Sequence, residues 1–367
     1  MASINFEHHT QFLPMKNFCS IFKKSGIINT KTQTACMKNK VLPGCLLIIL
    51  LFGFSFPPPK TSKHFTIHKL SEGVWAAINN DNYGHAICNA GIIDLGDKTV
   101  IFDPLMNIDA AADLKIIAKE LTNREASLII NSHYHNDHIR GNQLFLSASI
   151  ISTSWTRKEM AISEPEELAW EKANAVKYAE MNRQKLKTAT GKEKEELPLW
   201  IGYYEGMVIN DPLIKTTLPN ITFNDSLWIY GTKRNILLIE YKNGHTASDA
   251  VMILPKEGIA FMGDLLFEKR HPYLADGDPD SLKKHLDKIY ADTSLHQFVP
   301  GHGNISDRSV IKEMSQYITD VKQLVIDGIK KQLPDSIIKK SAVPLAYADW
   351  KYAQFFKYNL GFLLQKK

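Results

Sequence analysis

Three histidines and an aspartate lie within six residues of one short segment, and all four side chains are possible metal ligands: His133, His135, Asp137 and His138. They follow an apolar stretch, residues 127–130, that predicts a strand. In an extended chain, residues two apart face the same side, so the first three would share one space and His138 would join from the turn beyond. Neutral imidazole and carboxylate are ordinary zinc ligands. Four of them within six residues cannot all bind one tetrahedral ion comfortably, which favours two ions.

Three later motifs supply further ligand types. His245 lies in a Gly-His-Thr-Ala-Ser-Asp run, Asp264 follows Gly263, and His302 lies in a Pro-Gly-His-Gly run. Each comes at or just beyond the end of a predicted strand, where glycine lets backbone and ligand approach closely.

This set of residue types indicates metal-assisted hydrolysis. Two divalent ions about 3.5–4 Å apart can hold a bridging water and lower its pKa to about 7, which makes hydroxide available at neutral pH. Asp137 and Asp264 are the candidate catalytic carboxylates, and Asp137 could both bind metal and orient the nucleophile. The sequence contains no G-x-S-x-G motif to suggest a serine nucleophile.

The HxHxDH, GHTxxD, GD and PGHG motifs occur in the order found in the metallo-β-lactamase superfamily, which the chain resembles over about residues 65–305. The resemblance implies an α/β fold, a four-layer αββα sandwich with the metals between its two sheets. It implies a first metal on His133, His135 and His245. It implies a second metal on Asp137, His138 and His302, with Asp264 bridging the two and Asp103 supporting the ligand loop from behind.

The identity of the candidate ligands narrows the resemblance to particular branches of the superfamily. Flavodiiron proteins usually have Glu in place of His135, and zinc β-lactamases usually have Cys or a non-ligand residue in place of Asp264. The set therefore resembles the glyoxalase II, lactonase and general metallo-hydrolase branches. The run from Gly263 to Tyr273, followed by Asp276-Gly277-Asp278, resembles exported bacterial hydrolases of this fold.

The resemblance implies a binuclear enzyme with two zinc ions per chain, with iron or manganese possible, that hydrolyses a lactone, thioester, β-lactam or similar ester- or amide-like bond. A zinc β-lactamase proper and an iron-dependent persulfide dioxygenase on the same fold are the alternatives. We expect a small-molecule substrate. Trp200, Tyr203 and Tyr204 are candidates for a pocket wall, and Arg270 and His271 could bind an anionic group.

Charge and cysteine use limit the other classes of function. The net charge is +5, but residues 1–55 hold six lysines and one acid, so the rest of the chain is neutral and has no excess of positive charge for binding nucleic acid.

Residues 37–40 are cationic and residues 41–56 are almost entirely apolar. This is typical of a signal peptide over residues 37–55, preceded by a possible extension over 1–36. We therefore expect a secreted or periplasmic protein with no stable membrane insertion after cleavage, anchored if uncleaved. Cys88 is the one cysteine after residue 45, so a thiolate-rich metal site is excluded.

The expected domain spans residues 60–310. Its strands are predicted near residues 65–70, 74–78, 87–95 and 98–102, and again from about residue 225 to 262. The Glu-, Lys- and Ala-rich stretch over about residues 155–220 predicts an inserted helical arm with a polar break at 188–196. Helices near 306–331 and 335–365 would form most of a C-terminal extension over residues 311–367.

Overall fold

A computed structural model describes residues 61–366 of the chain. The predicted signal peptide, residues 37–55, and the extension before it lie outside the described residues. Within the described part, the strands form two sheets of seven and five strands.

The first sheet follows the order of the chain, with the antiparallel half first and the parallel half last. Its strands are β1 (Phe65–Ser71), β2 (Val74–Asn79), β3 (Ala90–Asp94), β4 (Thr99–Phe102), β5 (Ala126–Ile130), β6 (Ser149–Thr153) and β7 (Ile221–Phe223). The strand predicted over residues 87–95 begins later than expected, because Ile87 has a left-handed backbone with φ of 55° that no strand accommodates.

The second sheet has the order β12-β11-β10-β9-β8, and only the β11–β12 pair is parallel. Its strands are β8 (Ser226–Tyr230), β9 (Asn235–Lys242), β10 (Ser248–Leu254), β11 (Ile259–Phe261) and β12 (Gln297–Val299). Apolar side chains from both sheets fill the space between them, and the rings of Phe102 and Phe261 lie 5.9 Å apart there.

Helices cover the outer faces of both sheets. The helices are α1 (Ile108–Thr122), α2 (Asn136–Ile139), α3 (Ser154–Leu186), α4 (Gly191–Asn210), α5 (Pro279–Ala291), α6 (Arg308–Lys330), α7 (Asp335–Ile338) and α8 (Ala353–Gln365). Helix α1 packs on the first sheet through Leu114 and Ile117, while α5 and α6 pack on the second through residues such as Leu286 and Met314. Each apolar face is thereby buried, and the αββα sandwich predicted from the motifs is confirmed.

Helices α3 and α4 connect β6 to β7 and form a long antiparallel pair beside the sheets. Thr153 begins α3, because its side-chain oxygen accepts a hydrogen bond from the backbone N–H of Thr156 at 3.1 Å. The predicted helices are confirmed, but the polar break at 188–196 is too long in the prediction, since α4 already begins at Gly191.

The helix predicted near residues 335–365 is interrupted in its middle, so this prediction is wrong there. Residues 339–352 are irregular apart from one 3-10 turn, because Pro344 lacks a backbone N–H and cannot continue a helix. This segment inserts Trp350 and Tyr352, both almost fully buried, into the core beside the second sheet. No helix between residues 61 and 366 is long and apolar enough to cross a membrane.

Candidate metal centre

All seven predicted ligand side chains meet where the strand ends of the two sheets adjoin. The segment after β5 carries His133, His135, Asp137 and His138, and the segments after β9, β11 and β12 carry His245, Asp264 and His302. The backbone N–H of Ala250 in β10 donates to the carbonyl of Ser132 at 2.7 Å and joins the ligand segment to the second sheet. Asp137 lies in the first turn of α2 rather than in extended chain, which corrects the sequence argument.

The first group of ligand atoms belongs to His133, His135, His245 and Asp264, all within 4.8 Å of one another. Nδ1 of His135 lies 3.1 Å from Nε2 of His245, which is 3.4 Å from Oδ2 of Asp264. Ligands bound at about 2.0–2.1 Å around a tetrahedral zinc ion stand roughly 3.3 Å apart. The spacing of this group fits one such ion.

The second group belongs to His138, Asp264 and His302, with Asp137 beside them. Oδ2 of Asp137 is 3.4 Å from Nε2 of both His138 and His302. Asp264 places Oδ1 at 3.1 Å from Nε2 of His138 and Oδ2 at 3.3 Å from Nε2 of His302. One carboxylate therefore takes part in both groups.

Each imidazole has one ring nitrogen that points away from the centre. In four of the five rings, this outer nitrogen makes a hydrogen bond. Nδ1 of His138 donates to Asp103 at 2.8 Å, and Nδ1 of His302 donates to the Ile87 carbonyl at 3.1 Å. Nε2 of His135 contacts Asp276 at 2.9 Å. Nδ1 of His133 contacts the hydroxyl of Ser132 at 2.9 Å. Such outer bonds leave the lone pair of the inner nitrogen facing the centre, as a metal ligand requires.

Asp103 supports the ligand segment as the resemblance implied. Its carboxylate accepts from the backbone N–H of Ser132 at 2.7 Å, from the Ser132 hydroxyl at 2.7 Å and from His138. Its backbone is left-handed, with φ of 54°, a conformation that aspartate tolerates better than most residues.

The residues present fit a divalent metal. Nε2 of His133, Nε2 of His138 and Oδ1 of Asp264 are buried without a hydrogen-bond partner. Each such atom costs about 1–3 kcal/mol unless something binds it, and one metal ion in each of the two groups would satisfy all three. Gly301 leaves room for this arrangement, since a Cβ there would lie 1.9 Å from Oδ1 of Asp264.

Electrostatics favours the ligand-competent protonation state at His133, His245 and Asp264, whereas the acidic groups beside His135 and His138 raise the pKa of both imidazoles against the effect of burial. Burial and the neighbouring imidazoles hold the pKa of His133 well below its usual range. Burial lowers the pKa of His245 to about 4. Burial alone would raise the pKa of Asp264, but the charges of His302 and His138 hold it well below its usual value. Neutral imidazoles and an ionised carboxylate are the forms that bind zinc.

Cys88 lies directly behind the second group. Its thiol donates to the backbone carbonyl of Asp137 at 2.9 Å, and burial raises its pKa to about 12. A thiol that stays protonated acts here as a neutral hydrogen-bond donor to the ligand segment.

A cavity of about 490 Å³ opens onto the ligands, and aromatic side chains form much of its wall. Trp200 and Tyr203 line it as predicted, whereas Tyr204 instead stacks on Tyr178 with ring centroids 5.2 Å apart. Two further predictions are wrong. Arg270 is buried beside Asp81 at 2.6 Å, and His271 is fully buried against the hydroxyl of Tyr317. Neither lines the cavity, because the segment that carries them turns into the core.

Sequence reasoning missed Asp276 as a functional residue. It lies in the Asp-Gly-Asp motif noted above, and its Oδ2 contacts both Nε2 of His135 and the hydroxyl of Tyr134 at 2.9 Å. A carboxylate 141 residues away from its histidine leaves no spacing signal in the sequence.

Replacing Asp276 with asparagine is expected to weaken binding of the first metal about 10–100-fold, because His135 loses the carboxylate that orients its ring. Zinc titration against a competing chelator measures this. Asp278→Asn is the matched control, since Asp278 caps α5 by accepting from the N–H of Ser281 at 2.8 Å and asparagine caps equally well. Equal zinc affinity in both variants would contradict the orienting role.

Comparison with known proteins shows the family and a similar fold. The family model for the metallo-beta-lactamase superfamily matches residues 83–303. Metallo-beta-lactamase FIM-1 from Pseudomonas aeruginosa, in its mono-zinc form, is 16% identical with a TM-score of 0.50, over 70% of this chain and 95% of that one. VMB-1 is 16% identical with a TM-score of 0.51, over 71% of this chain and 99% of that one. A metallo-beta-lactamase from Pontibacter korlensis is also 16% identical, with a TM-score of 0.49, over 70% of this chain and 99% of that one. No curated protein matches the chain in sequence.

The fold and the clustered histidines and carboxylates define a hydrolase that depends on divalent metal and acts on a small molecule. The chain belongs to the metallo-beta-lactamase superfamily.

Proposed function

We propose that the chain is a binuclear zinc hydrolase that cleaves an ester-like bond in a lactone, thioester or related small molecule. The observation that carries this proposal is the position of Asp264, whose two oxygens lie 3.1 Å from His138 and 3.3–3.4 Å from His302 and His245. A carboxylate shared between two ligand groups is suited to a pair of ions.

The residues of the chain have separate tasks in this proposal. His133, His135 and His245 would hold the first zinc; Asp137, His138 and His302 the second; Asp264 both. Bound zinc supplies a water of lowered pKa and polarises the bond under attack. Asp137 is among the residues that line the cavity, and in this proposal it orients the attacking water and takes up its proton. Asp103 and Asp276 keep His138 and His135 in place.

Metal removal tests the proposal. We expect the purified chain to hold two zinc ions and its turnover to fall by more than about 100-fold when a chelator removes them. Added zinc should restore turnover, whereas calcium should not, because calcium prefers oxygen ligands. The free energy of unfolding of the chelated protein should also be lower, by about 3 kcal/mol, than that of the protein in the presence of zinc at 100 times its dissociation constant. Metal analysis, thermal unfolding and a panel of lactone, thioester, phosphodiester and β-lactam substrates measure these effects.

The panel also separates the alternatives. Zinc-dependent turnover of a chromogenic cephalosporin above that of lactones and thioesters would indicate a β-lactamase proper. Bound iron with oxygen consumption on a persulfide would indicate a dioxygenase. Full turnover after complete metal removal would contradict every metal-based assignment.

A further inference from the structure

One wall of the cavity is aromatic and carries no cationic side chain. Five rings form a continuous surface that we call the aromatic wall: Trp200, Tyr203, Tyr273, Tyr352 and Phe355. Adjacent ring centroids lie 5.2 Å apart for Trp200 and Tyr352, 5.7 Å for Trp200 and Tyr203, and 5.6 Å for Tyr273 and Phe355. None of the described residues that line the cavity is lysine or arginine.

Two glutamates of α3, Glu166 and Glu167, line the same cavity. Glu167 is half-buried, and its carboxylate is held by the side-chain amide of Asn136, which donates to it at 3.1 Å. Asn136 lies between His135 and Asp137, so Glu167 has a defined position relative to the ligands. Among residues 61–366, no lysine or arginine forms an ion pair with Glu167 at 4.0 Å or less, although Arg140 acts on its carboxylate at longer range.

The two nearest buried arginines are both engaged elsewhere. Arg140 is enclosed by Glu164 at 2.8 Å, Glu171 at 2.6 Å and Asp211 at 3.5 Å. Arg270 lies behind the aromatic wall, bound to Asp81 at 2.6 Å. An anionic substituent reaching toward α3 would therefore meet carboxylates and ring faces, with no partner for its charge.

A positively charged substituent has partners on the same surface. Ring faces attract ammonium and guanidinium groups, most strongly where water is excluded, and a carboxylate nearby adds to that attraction. The cavity is large enough for a drug-sized molecule. The reacting bond would lie at the metal ligands and the charged end at Glu167 and the aromatic wall.

We infer that the substrate carries a cationic group, of the alkylammonium class, in the part that does not react, and that Glu167 and the aromatic wall bind it. This inference rests on the proposed function and names the substrate class for that site.

Three thioesters that differ only in one end group test it on the zinc-loaded full chain. Their thiol portions end in trimethylammonium, in the isosteric tert-butyl group, or in carboxylate. We expect kcat/KM for the ammonium compound to exceed that of the tert-butyl compound about 10-fold, the range of a desolvated cation–π contact, and the carboxylate compound to be the poorest. Glu167→Gln and Trp200→Leu should each reduce the ammonium preference to about 3-fold or less.

Glu205→Gln is the matched control, because Glu205 lies on the same arm, pairs with Arg183 at 2.6 Å and does not line the cavity. It should keep the full preference. Three matching alcohols, which lack the thioester and end in trimethylammonium, tert-butyl or carboxylate, are also titrated calorimetrically, and the trimethylammonium alcohol should bind most tightly.

The outcomes separate this inference from the proposed function. Zinc-dependent hydrolysis with equal or reversed charge preference would overturn the inference and leave the hydrolase standing. If no thioester reacts, the proposed function fails for that bond, and the calorimetric order of affinities still decides the inference. Tighter binding of the tert-butyl or carboxylate compound would overturn it.

Discussion

Replacing Asp264 with alanine is expected to reduce bound zinc from two ions per chain to one or fewer and to lower kcat/KM by more than about 100-fold. Removing only the hydrogen-bond partner behind a metal ligand lowers metal affinity or activity by up to about 100-fold. Removing a ligand that two ions share should lower it more. Asp264 is 4% exposed, and its oxygens lie 3.1–3.4 Å from the inner nitrogens of His138, His245 and His302. Without it, both groups of ligands lose a member at once.

Metal analysis and initial rates at saturating zinc measure the result. Asp225→Ala is the matched control: Asp225 is an exposed residue of the turn before β8, where it pairs with Lys242, and its loss should leave metal content and rate unchanged. Two tightly bound zinc ions and a normal rate in Asp264→Ala would show that this carboxylate bridges nothing. Loss of only one ion together with a normal rate would point to a mononuclear enzyme.

The largest effect on stability is expected at Arg140. Its guanidinium is 3% exposed and binds Glu164, Glu171 and Asp211, and so joins the turn after α2 to the helical arm. Arg140→Met removes the one cation of this cluster and leaves three carboxylates buried without a counter-charge. Breaking a buried ion pair in this way costs about 3–5 kcal/mol, which corresponds to a fall in Tm of roughly 10 °C in a domain of this size.

The penalty should depend on pH with a defined sign. Burial raises the pKa of Glu171 to about 8 and that of Asp211 to about 6, in spite of the attraction of Arg140. An acid whose pKa is higher in the folded state stabilises the fold below its unfolded pKa, and this contribution is lost as the pH rises through the folded pKa. Removing Arg140 raises these pKa values further, so the difference in Tm between variant and wild type should be larger at pH 8 than at pH 5.5.

Thermal unfolding of both proteins at the two pH values measures this difference. Arg183→Met is the control, since Arg183 is an exposed arginine of the same arm that pairs with Glu180 and Glu205 at the surface. It should leave Tm unchanged. An equally small effect at Arg140, or a larger loss at pH 5.5 than at pH 8, would refute the electrostatic account of the cluster.

Much of the fold could be predicted because its signals are local. The strands around β5, β9 and β12 show short apolar runs, and α1, α5 and α6 repeat apolar residues at helical spacing. Strand β6 escaped prediction because its Ser-Ile-Ile-Ser-Thr run is short and only its pairing with β5 and β7 makes it part of a sheet. The segment at 339–352 does not form the predicted helix, because Pro344 cannot continue a helix and Trp350 and Tyr352 pack into the core instead.

The seven candidate ligands could be predicted from the sequence, the first four from spacing and ligand chemistry and the last three with the help of the family resemblance. Metal chemistry restricts which residue types can serve, and their order along the chain is preserved in the motifs that carry His133, His245, Asp264 and His302. The partners of those ligands were decided by the tertiary structure. Asp276 reaches His135, Glu167 enters the cavity and Arg270 turns away from it only because distant segments pack together. Such contacts depend on the relative placement of sheets and arm, which no local pattern of residues encodes.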